Sequence, residues 1–262
     1  MSSSALQVAR TGLDAQDMKM RVIANNLSNV NTTGFKRDRA NFETLAYQQM
    51  VAAGAQSDQQ NKFATGLNLG SGVRVAGTSR LDTQGTLNQT GNPLDFAIQG
   101  DGYFQVQQTD GTLAYSRAGN FTLSPEGNVV TTEGQTIIPQ ITVPTGATGV
   151  TVGSDGTVSA TLTGQTAPTQ LGQIELARFV NPTGLNAIGG NLLTETAASG
   201  APQVGVAGTE GRGTVIQGSL EGSNVNTVEE LVEMIETQRG YEVASKMIKA
   251  TDEMMQNANQ QL

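Results

Sequence analysis

Both ends of the chain carry heptad stripes, and a stripe of that kind needs another helix to pack against. Leu6, Ala9, Leu13, Gln16, Met20, Ile23, Leu27 and Val30 follow one another at spacings of three and four, along one seam of a helix. At the other end Met234, Thr237, Tyr241, Ala244, Ile248, Thr251, Met255, Ala258 and Leu262 repeat the pattern, large residues alternating with small ones as close helix pairing prefers. The first helix is predicted over residues 4 to about 30. Asn29, Asn31, Thr32 and Thr33 end it, Gly34 closes it in the left-handed conformation, and Phe35 packs back on the last turn. The second helix is predicted to start at Thr227 as N-cap, with Glu229 and Glu230 in the first turn, where the helix dipole favours negative charge. Gly240 is its weak point, costing about 1 kcal/mol relative to Ala.

Between the helices, from about Leu67 to Leu220, the period changes to two. Leu94, Phe96 and Ile98 alternate with Asp95, Ala97 and Gln99; Phe104 and Val106 point inward; Val158, Ala160 and Leu162 alternate with Thr157, Ser159 and Thr161. Acid-glycine steps at Asp101, Asp110, Asp155, Glu126, Glu133, Glu210 and Glu221 recur at hairpin spacing. The fold class expected is α+β: terminal helices in a coiled-coil layer, intermolecular or intramolecular, with a central, mostly antiparallel β domain. The divisions expected are a helix over 1–34, a linker or arm over 35–70, the β domain over 71–222 and a helix over 223–262.

Composition removes most chemistry. The 262 residues include no Cys, His or Trp, which excludes thiolate nucleophiles, Cys or His metal sites and imidazole acid-base catalysis. No catalytic residue, cofactor or metal is expected. An enzyme would have to rest on carboxylates such as Asp101, Asp110 and Glu126, as in a cell-wall hydrolase, yet each of these reads more simply as a turn residue. Gly66, Gly70 and Gly72 lack the Gly-Lys-Ser/Thr of a phosphate loop. The net charge of -8 and the lack of a concentrated basic face argue against nucleic acid. Charge is divided unevenly: residues 1–45 hold six Lys and Arg against four Asp and Glu, and residues 221–262 hold three against eight. Such pairs contribute about 0–1 kcal/mol each at a surface, so they guide pairing and register more than they stabilise. The N-terminus shows no apolar leader and no segment could span a bilayer, which predicts either a cytoplasmic protein or export without a cleaved signal peptide.

The stripes fit an intramolecular hairpin as well as packing between subunits. Two features point outward: an Asn-rich outer face at Asn25, Asn26 and Asn29, and a second apolar strip at Leu231, Val232, Ile235 and Met247, more than one partner helix needs.

Several runs are recognisable as motifs. Ala24-Asn-Asn-Leu-Ser-Asn-Val-Asn-Thr-Thr-Gly-Phe35 resembles the rod signature of bacterial flagellar axial proteins, and Gly218-Ser-Leu-Glu-Gly-Ser-Asn-Val-Asn-Thr-Val-Glu-Glu230 with Glu236-Thr-Gln-Arg-Gly-Tyr241 resembles its C-terminal partner. Gly91-Asn-Pro-Leu-Asp-Phe-Ala-Ile-Gln-Gly-Asp-Gly-Tyr-Phe104 and Tyr115-Ser-Arg-Ala-Gly-Asn-Phe121 resemble the β domain shared by rod and hook proteins. The resemblance covers essentially the whole chain. The length and the stretches Gly54–Ser57, Thr65–Arg74, Val180–Leu185 and Ala197–Gly205 favour a distal-rod type, with proximal-rod and hook-type subunits as alternatives. Gly240 stands where related sequences often have Ala.

The resemblance implies a structural homo-oligomer, a helical polymer forming a periplasm-spanning tube. Proximal rod proteins would lie below it, the hook protein above, P- and L-ring proteins around it, and the flagellar type III export apparatus would deliver it. It implies that the segment from about Tyr47 to Val73 stiffens the rod. The residues expected to pack subunits are Leu6, Leu13, Met20, Ile23, Leu27, Val30, Leu231, Met234, Ile235, Tyr241, Ala244, Ile248, Met255 and Leu262. The motif positions are Asn25, Asn26, Leu27, Asn29, Gly34, Phe35, Asn224 and Asn226.

Overall fold

A computed structural model describes residues 2–260 except 55, 57–63 and 165–166. The chain forms two compact units. The first comprises Met1–Leu27, Asp38–Ser79 and Asn226–Leu262; the second comprises Ser28–Arg37 and Arg80–Val225.

The first unit is built on helix α1 (Ser2–Ser28) and helix α2 (Thr227–Gln260). Neither has a proline to interrupt it, and at ~1.5 Å per residue the 27 residues of α1 span roughly 40 Å. The helices run antiparallel. Asn26 meets Glu230, Lys19 lies 3.1 Å from Glu233, and Gln16 reaches Gly240, so positions on α2 rise as those on α1 fall. The expected N-cap moves by one residue. Asn226, not Thr227, caps α2: its Oδ1 accepts the Val228 N–H at 3.1 Å and its carbonyl accepts the Glu230 N–H at 3.0 Å.

The predicted arm carries strands of its own. Asp38–Thr44 pairs with Val73–Arg80, and Tyr47–Val51 pairs antiparallel with Leu67–Gly70 in the register Tyr47 to Gly70. Sequence pattern missed those at Asp38–Thr44 and Tyr47–Val51 because most of their residues are exposed, so no alternation marks them. Residues 57–63, within that arm, lie outside the described residues.

The second unit is β, and its pairings are antiparallel. Its largest sheet is nine-stranded. Tyr103–Gln107 lies between Leu113–Ser116 and Thr136–Ile138, and also pairs with Glu175–Arg178. Smaller sheets join Ala147–Val152, Thr157–Leu162 and Thr169–Gln173, and pair Phe96–Gln99 with Thr214–Gln217. The predicted alternation holds at Thr157–Leu162, where Val158 and Ala160 are buried between half-buried neighbours.

Alternation fails in Phe96–Gln99 and Tyr103–Gln107. Ala97, Tyr103 and Gln105, expected to face outward, are buried with Phe96, Ile98, Phe104 and Val106. These strands are covered on both faces: Phe104 belongs to the main apolar cluster, Tyr103 to a second and Val106 to a third. Edge-to-face rings brace two of these clusters, Phe104 with Phe121 at 5.3 Å and Tyr115 with Phe179 at 4.8 Å, each pair contributing about 0.5–1.5 kcal/mol beyond its burial.

Candidate assembly interface

The seam residues of α1 line its covered side. Ala9 and Ile23 are buried, and Leu6, Leu13, Met20 and Leu27 are partly buried. Val30 falls beyond the helix, in a turn. On α2, Thr237 is buried and donates to the Glu233 carbonyl, while Met234, Ala244 and Ile248 are partly covered and Tyr241 is exposed. In the single chain α1 meets α2 at Glu230, Glu233 and Gly240, beside the predicted seam. Gly240 makes room for this: a Cβ there would stand 3.2 Å from the Gln16 amide. The side chain of Met255, and Leu262, lie outside the described residues.

The second strip has a different environment. Leu231, Val232, Ile235 and Met247 are exposed, and Val228 at 69%, Val243 at 58% and Met254 at 63% extend the same side of α2. Spacings of three and four connect Val228, Val232, Ile235, Arg239, Val243, Met247, Ala250 and Met254, a continuous stripe broken only by Arg239. A face this apolar and this long marks an interaction surface. Beside it, Gln7, Val8, Gln48, Leu69, Gly70, Ser71 and Met247 line a groove of about 300 Å³.

The motif residues act as joints. Asn26 is not on an outer face: it is 1% exposed, donates to the Asp38 carbonyl at 2.9 Å, accepts the Asp38 N–H at 2.9 Å and donates to Glu230, itself fully buried. An amide suits this place because it offers donor and acceptor together and so meets both main-chain groups of Asp38 at the start of its strand. Asn25 is exposed, Leu27 and Phe35 are partly buried, and Asn29 accepts from the Thr32 hydroxyl.

Gly34 does not close α1, which ends at Ser28. Its φ of +70° instead lets it approach the Arg117–Ala118 backbone, where a Cβ would stand 2.7 Å from two main-chain atoms, while its N–H donates to the Glu221 carbonyl at 2.8 Å. Asn224 accepts the Arg37 N–H and donates to the Leu81 and Thr83 carbonyls.

At the centre of the second unit lies a feature that sequence reasoning missed. The Glu221 carboxylate accepts from Lys36 Nζ at 2.6 Å, Arg117 Nε at 2.5 Å and the Gly85 N–H at 2.9 Å, with its side chain wholly buried. Arg117 also donates to the Gly102, Gly100 and Ile98 carbonyls, and Lys36 to the Thr83 carbonyl. Burial pushes the Glu221 carboxyl up, but Arg117 and then Lys36 outweigh it and hold the group below the usual carboxylate range. Burial holds Lys36 below and Asp82 above their ordinary values. In sequence Glu221 looks like the other acid-glycine steps. Asp110, Glu126, Glu133 and Asp155 do occupy hairpin tips, whereas Asp101 and Glu210 lie between strands that do not pair with each other and Glu221 ends the strand Ser219–Glu221, opposite Leu87.

The exposed turn acids show no sign of acid-base tuning. Hydrogen bonds from Thr112 and Ser124 hold the carboxyls of Asp110 and Glu126 below their ordinary values, the ionised state of a satisfied turn residue.

The similarities to known proteins agree with this layout. Residues 6–36 match the family described as "Flagella basal body rod protein", residues 97–160 "Flagellar hook protein FlgE/F/G D1 domain", and residues 216–261 "Flagellar basal body rod FlgEFG protein C-terminal". The chain is 48% identical to the flagellar basal-body rod protein FlgG of Buchnera aphidicola from Acyrthosiphon pisum over 256 residues, 98% of each chain. It is 45% identical to that of Caulobacter vibrioides, again over 98% of each, and 34% identical to FlgF of the same species over 93% of this chain and 91% of the other. With both terminal signatures and the β unit between them matched, the chain belongs to the flagellar basal-body rod protein family.

Proposed function

We propose that the chain is a structural subunit of the distal flagellar rod, assembling with copies of itself into a helical tube that acts as drive shaft and as wall of the export channel. The observation that carries this reading is the stripe from Val228 to Met254, left open although α1 already meets α2 at Glu230, Glu233 and Gly240. A second copy of the chain is the partner that such a repeated apolar face fits, since a polymer supplies the same complementary surface to every subunit. Identity with FlgG proteins above that with FlgF favours the distal position.

The proposed divisions follow function: 1–34 and 223–262 are the coiled-coil helices, 71–222 the central β domain, and 35–70 a linker or arm with the stiffening segment, which runs from about Tyr47 to Val73. Proximal rod proteins below, the hook protein above, the P- and L-ring proteins around and the type III export apparatus are the proposed partners. No catalysis is assigned. Burial of the open stripe offsets the ordering entropy of subunit addition, so assembly drives itself at the growing tip.

Electron microscopy of polymers formed by the purified full chain tests the reading. Straight hollow tubes are expected. Purified chain that stays monomeric at every concentration, or forms only sheets and fibres without a lumen, would overturn it.

A further inference from the structure

The geometry points to a positioning device: Lys36, Glu221 and Arg117 form a buried clasp that gathers, within the second unit, the chain segments leading to and from the helices. After a first crossing at residue 27, the chain passes between the units at three further points, after residues 37, 79 and 225. Each of these three points lies within a few residues of the clasp. Lys36 precedes the first, Leu81 and Thr83 follow the second, and Glu221 and Asn224 precede the third.

The bonds join these segments to one another. Lys36 binds Glu221 and the Thr83 carbonyl; the Leu81 N–H donates to the Arg37 carbonyl; Asn224 holds the Arg37 N–H and the Leu81 and Thr83 carbonyls; and Gly34 and Gly85 donate their N–H groups to Glu221. Arg117 anchors Glu221 to the sheet through the carbonyls of Gly100 and Gly102.

Apolar packing would allow these segments to slide. Charge-assisted hydrogen bonds have fixed length and direction, so they set spacing where packing cannot. Net stability is a poor explanation for such a cluster, because desolvation consumes most of what the charges gain from each other. Gly34 and Gly85 permit the close approach: a side chain at either would overlap opposing backbone.

Amide exchange on the full chain tests the clasp. In the wild-type monomer the Gly34 and Gly85 amides should exchange as slowly as those of Val106 and Ile137 in the sheet; fast exchange at Gly34 and Gly85 overturns the proposal. Lys36→Met removes one tether while leaving Glu221 paired with Arg117 and Gly85. It should speed exchange at Gly34 and Leu81 by about tenfold or more, with Val106 and Ile137 unchanged. No change at Gly34, or an equal rise in the sheet, would mean that Lys36 contributes only general stability. The consequence for assembly, slower or irregular tube growth by Lys36→Met, rests on the rod-subunit reading. The exchange result does not, so wild-type chain that never forms tubes would sink that reading alone.

Discussion

The Glu221 carboxylate and the Lys36 ammonium, 185 positions apart in the chain, meet at 2.6 Å with almost no exposure of either side chain. Removing the anion leaves Lys36 and Arg117 buried beside each other with the Asp82 carboxylate as a weaker counterion. Glu221→Gln should destabilise the β unit by about 3–5 kcal/mol, read by chemical denaturation at neutral pH. A loss under 1 kcal/mol would mean that water reaches the site and screens it.

The same group sets an acid limit. Its folded pKa lies below the ordinary 4.5, so the stability it contributes is complete above that value and is lost as pH falls through the folded one. Asp82 works in the opposite sense, because burial raises its pKa and protonation in acid relieves that cost. Denaturation curves between about pH 6 and about pH 3 should show wild type losing stability and Glu221→Gln losing less, so the gap narrows toward acid. A gap that stays constant would assign the acid limit to other carboxylates.

Much of this fold is legible in the sequence, for reasons that also explain the gaps. The seams from Leu6 to Leu27 and from Met234 to Ile248 stand out because each has one covered side, and a single covered side leaves a period. Gln105 and Ala97 could not be placed, since a strand covered on both faces has no polar phase to read. The strand at Tyr47–Val51 fails for the converse reason, with nearly every residue exposed. Glu221 is the instructive miss. Glu-Gly reads as a turn wherever it occurs, and only tertiary pairing with Lys36 and Arg117 distinguishes this one. Asn26 was recognisable as a motif residue, but its inward role depends on Asp38 and Glu230 being brought beside it.

Two glycines should respond oppositely to alanine. Gly34→Ala forces a left-handed backbone on a residue with a Cβ and drives that atom into the Arg117–Ala118 main chain, a cost of about 2–4 kcal/mol. Gly240→Ala restores helix propensity worth up to about 1 kcal/mol, and the nearest described atoms belong to the end of the flexible Gln16 side chain, which can move. Thermal melts should therefore fall for the first and hold or rise for the second. A drop for Gly240→Ala would show that Gln16 cannot yield.

Asn226 supplies the side-chain cap at the start of α2, accepting the Val228 N–H. Asn226→Ala should cost about 1 kcal/mol, visible as faster amide exchange over the first turn of α2. Asn226→Asp should keep the cap. Equal protection in the Ala variant would mean that water replaces it without loss.

The two apolar stripes make the sharpest prediction, because they separate folding from assembly. Leu13 and Ile248 are partly covered seam positions of α1 and α2, and Ile235 and Val243 lie on the open stripe. Leu13→Asp or Ile248→Asp should disrupt the helix pair in the monomer and abolish tube formation, with the β unit still folded, since a carboxylate on the seam loses water without gaining a partner. Ile235→Asp or Val243→Asp, already exposed at 51% and 58%, should leave monomer helicity and exchange within error of wild type while blocking polymerisation. Circular dichroism of the monomer beside sedimentation of polymers reads both effects. Normal polymers from the open-stripe variants would move the subunit contact elsewhere. Normal monomer helicity in the seam variants would show that α1 and α2 need each other only in the tube, so that the same seam joins different copies.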